Sequence, residues 1–128
     1  MGARRITPLY TATDLERSLE WYCDILGCEL IERWEHDGVT IGAALSYGDV
    51  TLGLSQDDFQ KGRDRQKGVG FRILLETNEH IDTLATGIQE RGGELVSPPR
   101  NQDWGTREFA VADPDGFKIT ITSPMPSE

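Results

Sequence analysis

Apolar positions along this chain change period in the same order twice. Leu15, Leu19, Tyr22 and Leu26 recur at helical spacing, Thr13 and Glu16 stand as a capping box, and Gly27 ends the run, which predicts a helix over 14–26. Ile81, Leu84, Ala85 and Ile88 repeat that period until Gly92-Gly93, predicting a second helix over about 79–91. A β-like run precedes each helix, 5–11 and 69–77. Three more follow each one: 29–35, 40–47 and 50–55 after the first, then 94–98, 106–112 and 117–122 after the second. Asp37-Gly38, Gly48-Asp49 and Asp115-Gly116 fall where hairpins would reverse.

The offset that carries Leu19 onto Leu84 also carries Gly27 onto Gly92, Glu29 onto Glu94 and Leu30 onto Leu95. The chain therefore reads as two β-α-β-β-β modules, about 5–55 and 68–123, of α+β class. The connector, 56–67, carries many charges and no apolar periodicity. Neither module is large enough to hide its own sheet, so 1–128 is expected to act as a single domain.

Alternation along the strands sorts their side chains onto two faces. Ile6, Val50, Leu52, Leu54, Phe71, Ile73, Phe109, Val111, Phe117, Ile119 and Ile121 belong to the face that needs helix cover. The other face receives Thr7, Leu9, Thr51, Gly53, Arg72, Leu74, Glu76, Thr106, Glu108, Ala110, Lys118 and Thr120, a mixture suited to a ligand pocket. Arg72 is the most informative of these. A fixed cation in mid-sheet needs an anion, which either Glu76 or Glu108 offers from the same face, or a ligand does.

The formal net charge of −9 gives a surface that repels nucleic-acid phosphates and anionic lipid headgroups, so neither nucleic acid nor membrane is an expected partner. No apolar run approaches the roughly 20 residues of a membrane span, and a cytoplasmic location is expected. Cys23 and Cys28, either side of a helix end at Gly27, read as two thiols in a reducing compartment rather than a disulfide.

The doubled module, with Asp14-Leu15-Glu16-Arg17-Ser18 opening the first helix, Tyr22 and Leu26-Gly27 closing it, and Asp113-Pro114-Asp115-Gly116 before the last strand, resembles the vicinal-oxygen-chelate superfamily of glyoxalases, bleomycin-resistance proteins and dioxygenases. The resemblance covers nearly the whole chain. It implies a curved mixed sheet around a concave cleft, a small-molecule ligand, a homodimer, and in the metal enzymes four ligands, one on the first and fourth strand of each module. Carried over by spacing, those positions are Thr7, Gly53, Arg72 and Thr120. A threonine hydroxyl binds a divalent metal weakly, glycine has no side chain and a guanidinium repels the cation, so no metal and no other cofactor is expected.

The resemblance also implies stacking walls for a planar ligand, for which Trp34, Tyr47 and Trp104 are candidates, with Pro98-Pro99-Arg100 as an irregular loop at the pocket mouth. The expected function is metal-independent binding of a small molecule, sequestering an aromatic or antibiotic-like compound through Thr7, Trp34, Tyr47, Gly53, Arg72, Trp104, Glu108 and Thr120. The alternative is a lyase, isomerase or dioxygenase-like enzyme acting on a small carbonyl or aromatic substrate. There Glu108 would serve as general base, with Arg72 stabilising an enolate.

Overall fold

The computed structural model describes residues 2–125. The chain divides into two compact units, Met1–Arg65 and Gln66–Glu128. In the first, β1 (Leu9–Ala12) leads to α1 (Leu15–Glu20), which continues as a π-helical segment, Trp21–Leu26, before β2 (Glu29–His36), β3 (Val39–Tyr47) and β4 (Val50–Gln56). In the second, β5 (Arg72–Glu76) leads to α2 (Ile81–Glu90), then β6 (Leu95–Asn101), β7 (Thr106–Ala112) and β8 (Lys118–Pro124). The sheets are ordered β1-β4-β3-β2 and β5-β8-β7-β6, with the first and last strand of each unit parallel and the other neighbours antiparallel. Two βαβββ modules of an α+β fold result.

Each helix covers one face of its own sheet. Leu15, Leu19, Tyr22 and Leu26 are buried, as are Tyr10, Ala12, Ala43, Leu45, Leu52 and Leu54 on the sheet of the same unit, and the Tyr10 and Tyr22 rings stack at 5.9 Å. In the second unit the buried set is Ile81, Ala85 and Ile88 on α2 with Leu75, Phe109, Val111, Ile119 and Ile121 on the strands. Truncating a fully buried aliphatic such as Ile88 to alanine costs about 2–5 kcal/mol. Ile6, Val50 and Phe71, expected in the core, are instead exposed. Ile6 and Phe71 lie before their strands begin, and Val50 lies at the end of a hairpin, so none reaches under a helix.

The helix starts differ from the capping-box expectation. Asp14, not Thr13, is the N-cap of α1 and accepts from the Arg17 N–H at 3.3 Å. A second clamp comes from Gln56, which sequence alone assigns to the connector. Its Oε1 accepts from the Leu15 N–H at 2.9 Å while Nε2 donates to the carbonyls of Ala12, Thr13 and Asp57 at 3.2, 2.7 and 3.1 Å. One amide thus ties the last residue of β4 to the turn between β1 and α1. His80 caps α2 through Nδ1 and the Thr83 N–H, and Gly27, at φ 103°, ends the π-helical segment in the left-handed region.

Register decides which side chains reach the uncovered face. In β2, Leu30 opposes Leu45 on the helix side; the ladder then slips by one residue, so that Glu32 opposes Ala44 and Trp34 opposes Gly42. The bulge turns Trp34, an even number of residues beyond Leu30, onto the open face. β6 slips on either side of Ser97, and Pro98-Pro99-Arg100 lie inside this strand rather than in an irregular loop. Proline has no N–H to give to a ladder, and a bulge is where a strand tolerates that.

Candidate functional site

On the open face of the first sheet, Trp34 lies across Gly42 and Gly53. A Cβ at residue 42 would sit 2.6 Å from Trp34 Cε3 and 2.7 Å from the Leu54 carbonyl oxygen. At residue 53 it would overlap Leu9 Cδ2 and stand 3.4 Å from Trp34 Cη2. The two glycines are buried, while Trp34 is half-buried and Leu9 is 63% exposed. Absence of side chains at 42 and 53 lets an indole and an isobutyl group lie flat on the strands, making an apolar platform whose outer surface faces solvent. Thr7 is exposed and lies two residues before Leu9, the ladder partner of Gly53.

Tyr47 is not part of this face. It shares strand parity with Ala43 and Leu45 and opposes Val50, which places it on the helix side of β3. It is the candidate that the structure separates most clearly from the others in its unit.

The open face of the second sheet is polar. Its rows run Arg72, Lys118 and Ala112, then Leu74, Thr120 and Ala110, then Glu76, Thr122 and Glu108. Glu108 is half-buried, and its Oε2 accepts from the Thr106 hydroxyl at 3.2 Å. Trp104, 70% exposed, sits in the turn between β6 and β7. Arg72 does not meet the carboxylates expected for it. Both Glu76 and Glu108 stand on the Thr122 row, four residues along the strand from Arg72, a separation of about 13 Å at strand rise. Its ladder neighbour is Lys118, and among the described residues Arg72 makes no ion pair.

The four positions that hold metal in the resemblance can be judged within each unit. In the first, Gly53 supplies no donor and lies beneath Leu9 and Trp34. In the second, Arg72 brings a cation next to Lys118, and Thr120 offers only a hydroxyl. These residues do not fit a divalent metal. Among the described residues no three His, Cys, Asp or Glu side chains cluster as a ligand set elsewhere. His36 sits beside the β2–β3 turn, and His80 is used as a helix cap.

Both thiols are displaced in titration, as are groups of two ion pairs, Arg33, raised by its hydrogen bond to Glu16, and Asp82 with Arg107. Burial, with Cys23 adding to it, pushes the Cys28 thiol up to about 12. Cys23 is raised by burial and by Asp24, against the opposing pull of Arg33; both cysteines are free thiols. Arg107 donates to both carboxylate oxygens of Asp82, Nε at 3.1 Å and Nη2 at 2.8 Å, and those hydrogen bonds hold Asp82 below the usual aspartate range. This fork joins β7 to the first turn of α2.

Doubled βαβββ units, each with a helix on one face of its sheet, define a fold class rather than one reaction. The model of the Glyoxalase/Bleomycin resistance protein/Dioxygenase superfamily matches residues 5–121, and the chain belongs to that superfamily. It is 31% identical over 118 residues to a probable lactoylglutathione lyase of Synechocystis, covering 84% of this chain and 86% of that protein. To the lactoylglutathione lyase of Neisseria meningitidis serogroup A it is 30% identical over 112 residues, covering 83% and 80%. A superfamily member from Sphaerobacter thermophilus shares the fold with TM-score 0.76 at 24% identity, over 94% of this chain and 97% of that one. Among the described residues no helix is long and apolar enough to cross a membrane.

Proposed function

We propose that the chain, working as a single domain, is a metal-independent binder of a small organic molecule and takes a planar aromatic group on the platform of Trp34 and Leu9. The observation that carries this reading is the burial of Gly42 and Gly53 beneath those two side chains: the strand position that would carry a metal donor in the resemblance is given over to an apolar surface. Offset stacking on an indole favours flat rings, and area burial adds to it without any directional bond. On the second unit, taken by itself, Arg72 offers a cation to a polar or anionic group. A homodimer accompanies this reading, since β2 and β6 each leave a strand edge unpaired within their sheet. Light scattering at micromolar concentration tests that part.

A ligand that binds only the folded chain raises its melting temperature in proportion to the logarithm of its concentration over Kd. A thermal-shift panel of planar aromatic compounds in chelator therefore tests the binding reading. Rises for aromatic compounds, unchanged by added divalent ions, are the expected result. A lift from a divalent ion alone would count against it.

The relatives favour a second reading. Proteins at 30–31% identity carry the name lactoylglutathione lyase, which supports an enzyme, and within it Glu108 is the candidate proton-transferring group. Its hydrogen bond from Thr106 fixes one carboxylate oxygen and leaves the other for a substrate. Lyase activity in the wild-type chain, abolished by Glu108→Gln, would establish this second reading over the first.

A further inference from the structure

Arg72 and Lys118 are ladder partners on the parallel strands β5 and β8. Their side chains leave the same face of the sheet from strands about 4.8 Å apart. Like charges directly opposite one another destabilise a sheet. No described carboxylate relieves them, because neither side chain makes an ion pair or hydrogen bond among the described residues.

Both cations line an open groove of about 650 Å³ contained within the second unit. One wall is the segment entering β5, which brings a third cation, Lys67, and two exposed apolar side chains, Val69 and Phe71. Gly68 presses this segment onto the turn before β8. A Cβ there would stand 2.5 Å from the Gly116 carbonyl oxygen, so the groove has its shape because residue 68 has no side chain. Three cations line the groove against one carboxylate, Asp115, in a chain whose net charge is −9. The positive sign is local, and the volume suits a small ligand rather than a single ion.

We propose that Arg72 and Lys118 form a two-cation subsite for the oxyanion group of a small ligand, a phosphate or a carboxylate, whose apolar part rests on Val69 and Phe71. The planar guanidinium forks onto two oxygens while the ammonium supplies a point charge from the neighbouring strand. The anion also removes the repulsion between the two side chains. The subsite extends the role of Arg72 as anchor but owes nothing to the indole platform of the first unit. Inorganic phosphate, which has no ring, therefore tests it alone.

Full-length protein is titrated calorimetrically with inorganic phosphate, phenyl phosphate and benzoate, with chloride at matched ionic strength as the blank. Saturable binding is expected for phosphate, and it should be tighter for phenyl phosphate. Phenyl phosphate above benzoate assigns a phosphate ligand, and the reverse order assigns a carboxylate. Lys118→Gln and Arg72→Gln should each weaken anion binding about tenfold or more, while Arg17→Gln on α1 leaves it unchanged. Lys118→Glu provides the control for folding: it places a carboxylate opposite Arg72, so the melting temperature should rise while anion binding disappears. Wild-type affinity in Lys118→Gln, or failure of the wild-type chain to bind all three anions, overturns the proposal. Phosphate binding without any response to uncharged aromatic compounds upholds this subsite and removes the indole platform from the proposed function.

Discussion

Trp34 and Gly42 face each other across the β2–β3 ladder, and the indole occupies the space that a side chain at residue 42 would need. The obstruction has two parts. Trp34 Cε3, at 2.6 Å from an added Cβ, belongs to a ring that can shift, whereas the Leu54 carbonyl oxygen at 2.7 Å is backbone and cannot. Gly42→Ala is therefore expected to lower stability by about 1–3 kcal/mol, the usual cost of overpacking. A denaturant melt measures this, and a change in Trp fluorescence should report that the ring has lifted.

Gln56→Ala removes two donated hydrogen bonds and one accepted one from the turn between β1 and α1, and a third donated one from the Asp57 carbonyl after β4. The Leu15 N–H and the Ala12 and Thr13 carbonyls lose a partner at a part-buried or exposed junction. The Ala12 carbonyl keeps its bond from the Asp57 N–H and water reaches the exposed groups, so the cost is about 0.5–1.5 kcal/mol, the net worth of an ordinary hydrogen bond. Chemical denaturation should show this as a lower midpoint with unchanged slope, and amide exchange should accelerate first in α1.

Much of the architecture is legible in the sequence, because helix period, strand alternation and turn residues repeat in the same order in both halves. Helix cores such as Leu19 with Leu26 and Ala85 with Ile88 follow from period alone. The functional face is only half legible. Gly53, Arg72 and Thr120 fall out of strand parity, but Trp34 reaches the open face only through the slip after Leu30, and a bulge has no reliable mark in a single sequence. Tyr47 shows the converse: its residue type suggested a stacking wall, while its parity with Leu45 sends it to the helix side. The Arg72–Lys118 pairing needs the register between β5 and β8, strands separated by the rest of the module, which sequence patterning does not set.

Asp82 is held below its ordinary value of 3.8 by the hydrogen bonds from Arg107. A carboxylate lowered on folding contributes stability that is fully present above 3.8 and is lost as pH falls through the lower native value. In Arg107→Gln, NMR titration of the Asp82 side chain should return its midpoint upward toward 3.8. The variant should also lose less stability than wild type between neutral pH and acid.

Cys28 is 6% exposed and its thiol is pushed up to about 12, so almost none of it is thiolate at pH 8. Cys23 is half-buried and raised as well, but less hidden. Since the thiolate is the nucleophile, iodoacetamide at pH 8 should modify Cys23 first and more slowly than free cysteine. Mass spectrometry should find Cys28 modified only once the chain is unfolded.

The claim that an apolar platform has replaced a metal site is tested most directly at Trp34 itself. The chain has three tryptophans, so 5-fluorotryptophan labelling gives three fluorine signals, assigned by substituting Trp21, Trp34 and Trp104 singly with phenylalanine. Titration with a planar aromatic anion in excess chelator should move the Trp34 signal saturably, with a Kd that added divalent ions leave unchanged. A Trp34 signal that stays fixed throughout, together with ligand binding that appears only when a divalent ion is supplied, would contradict the account.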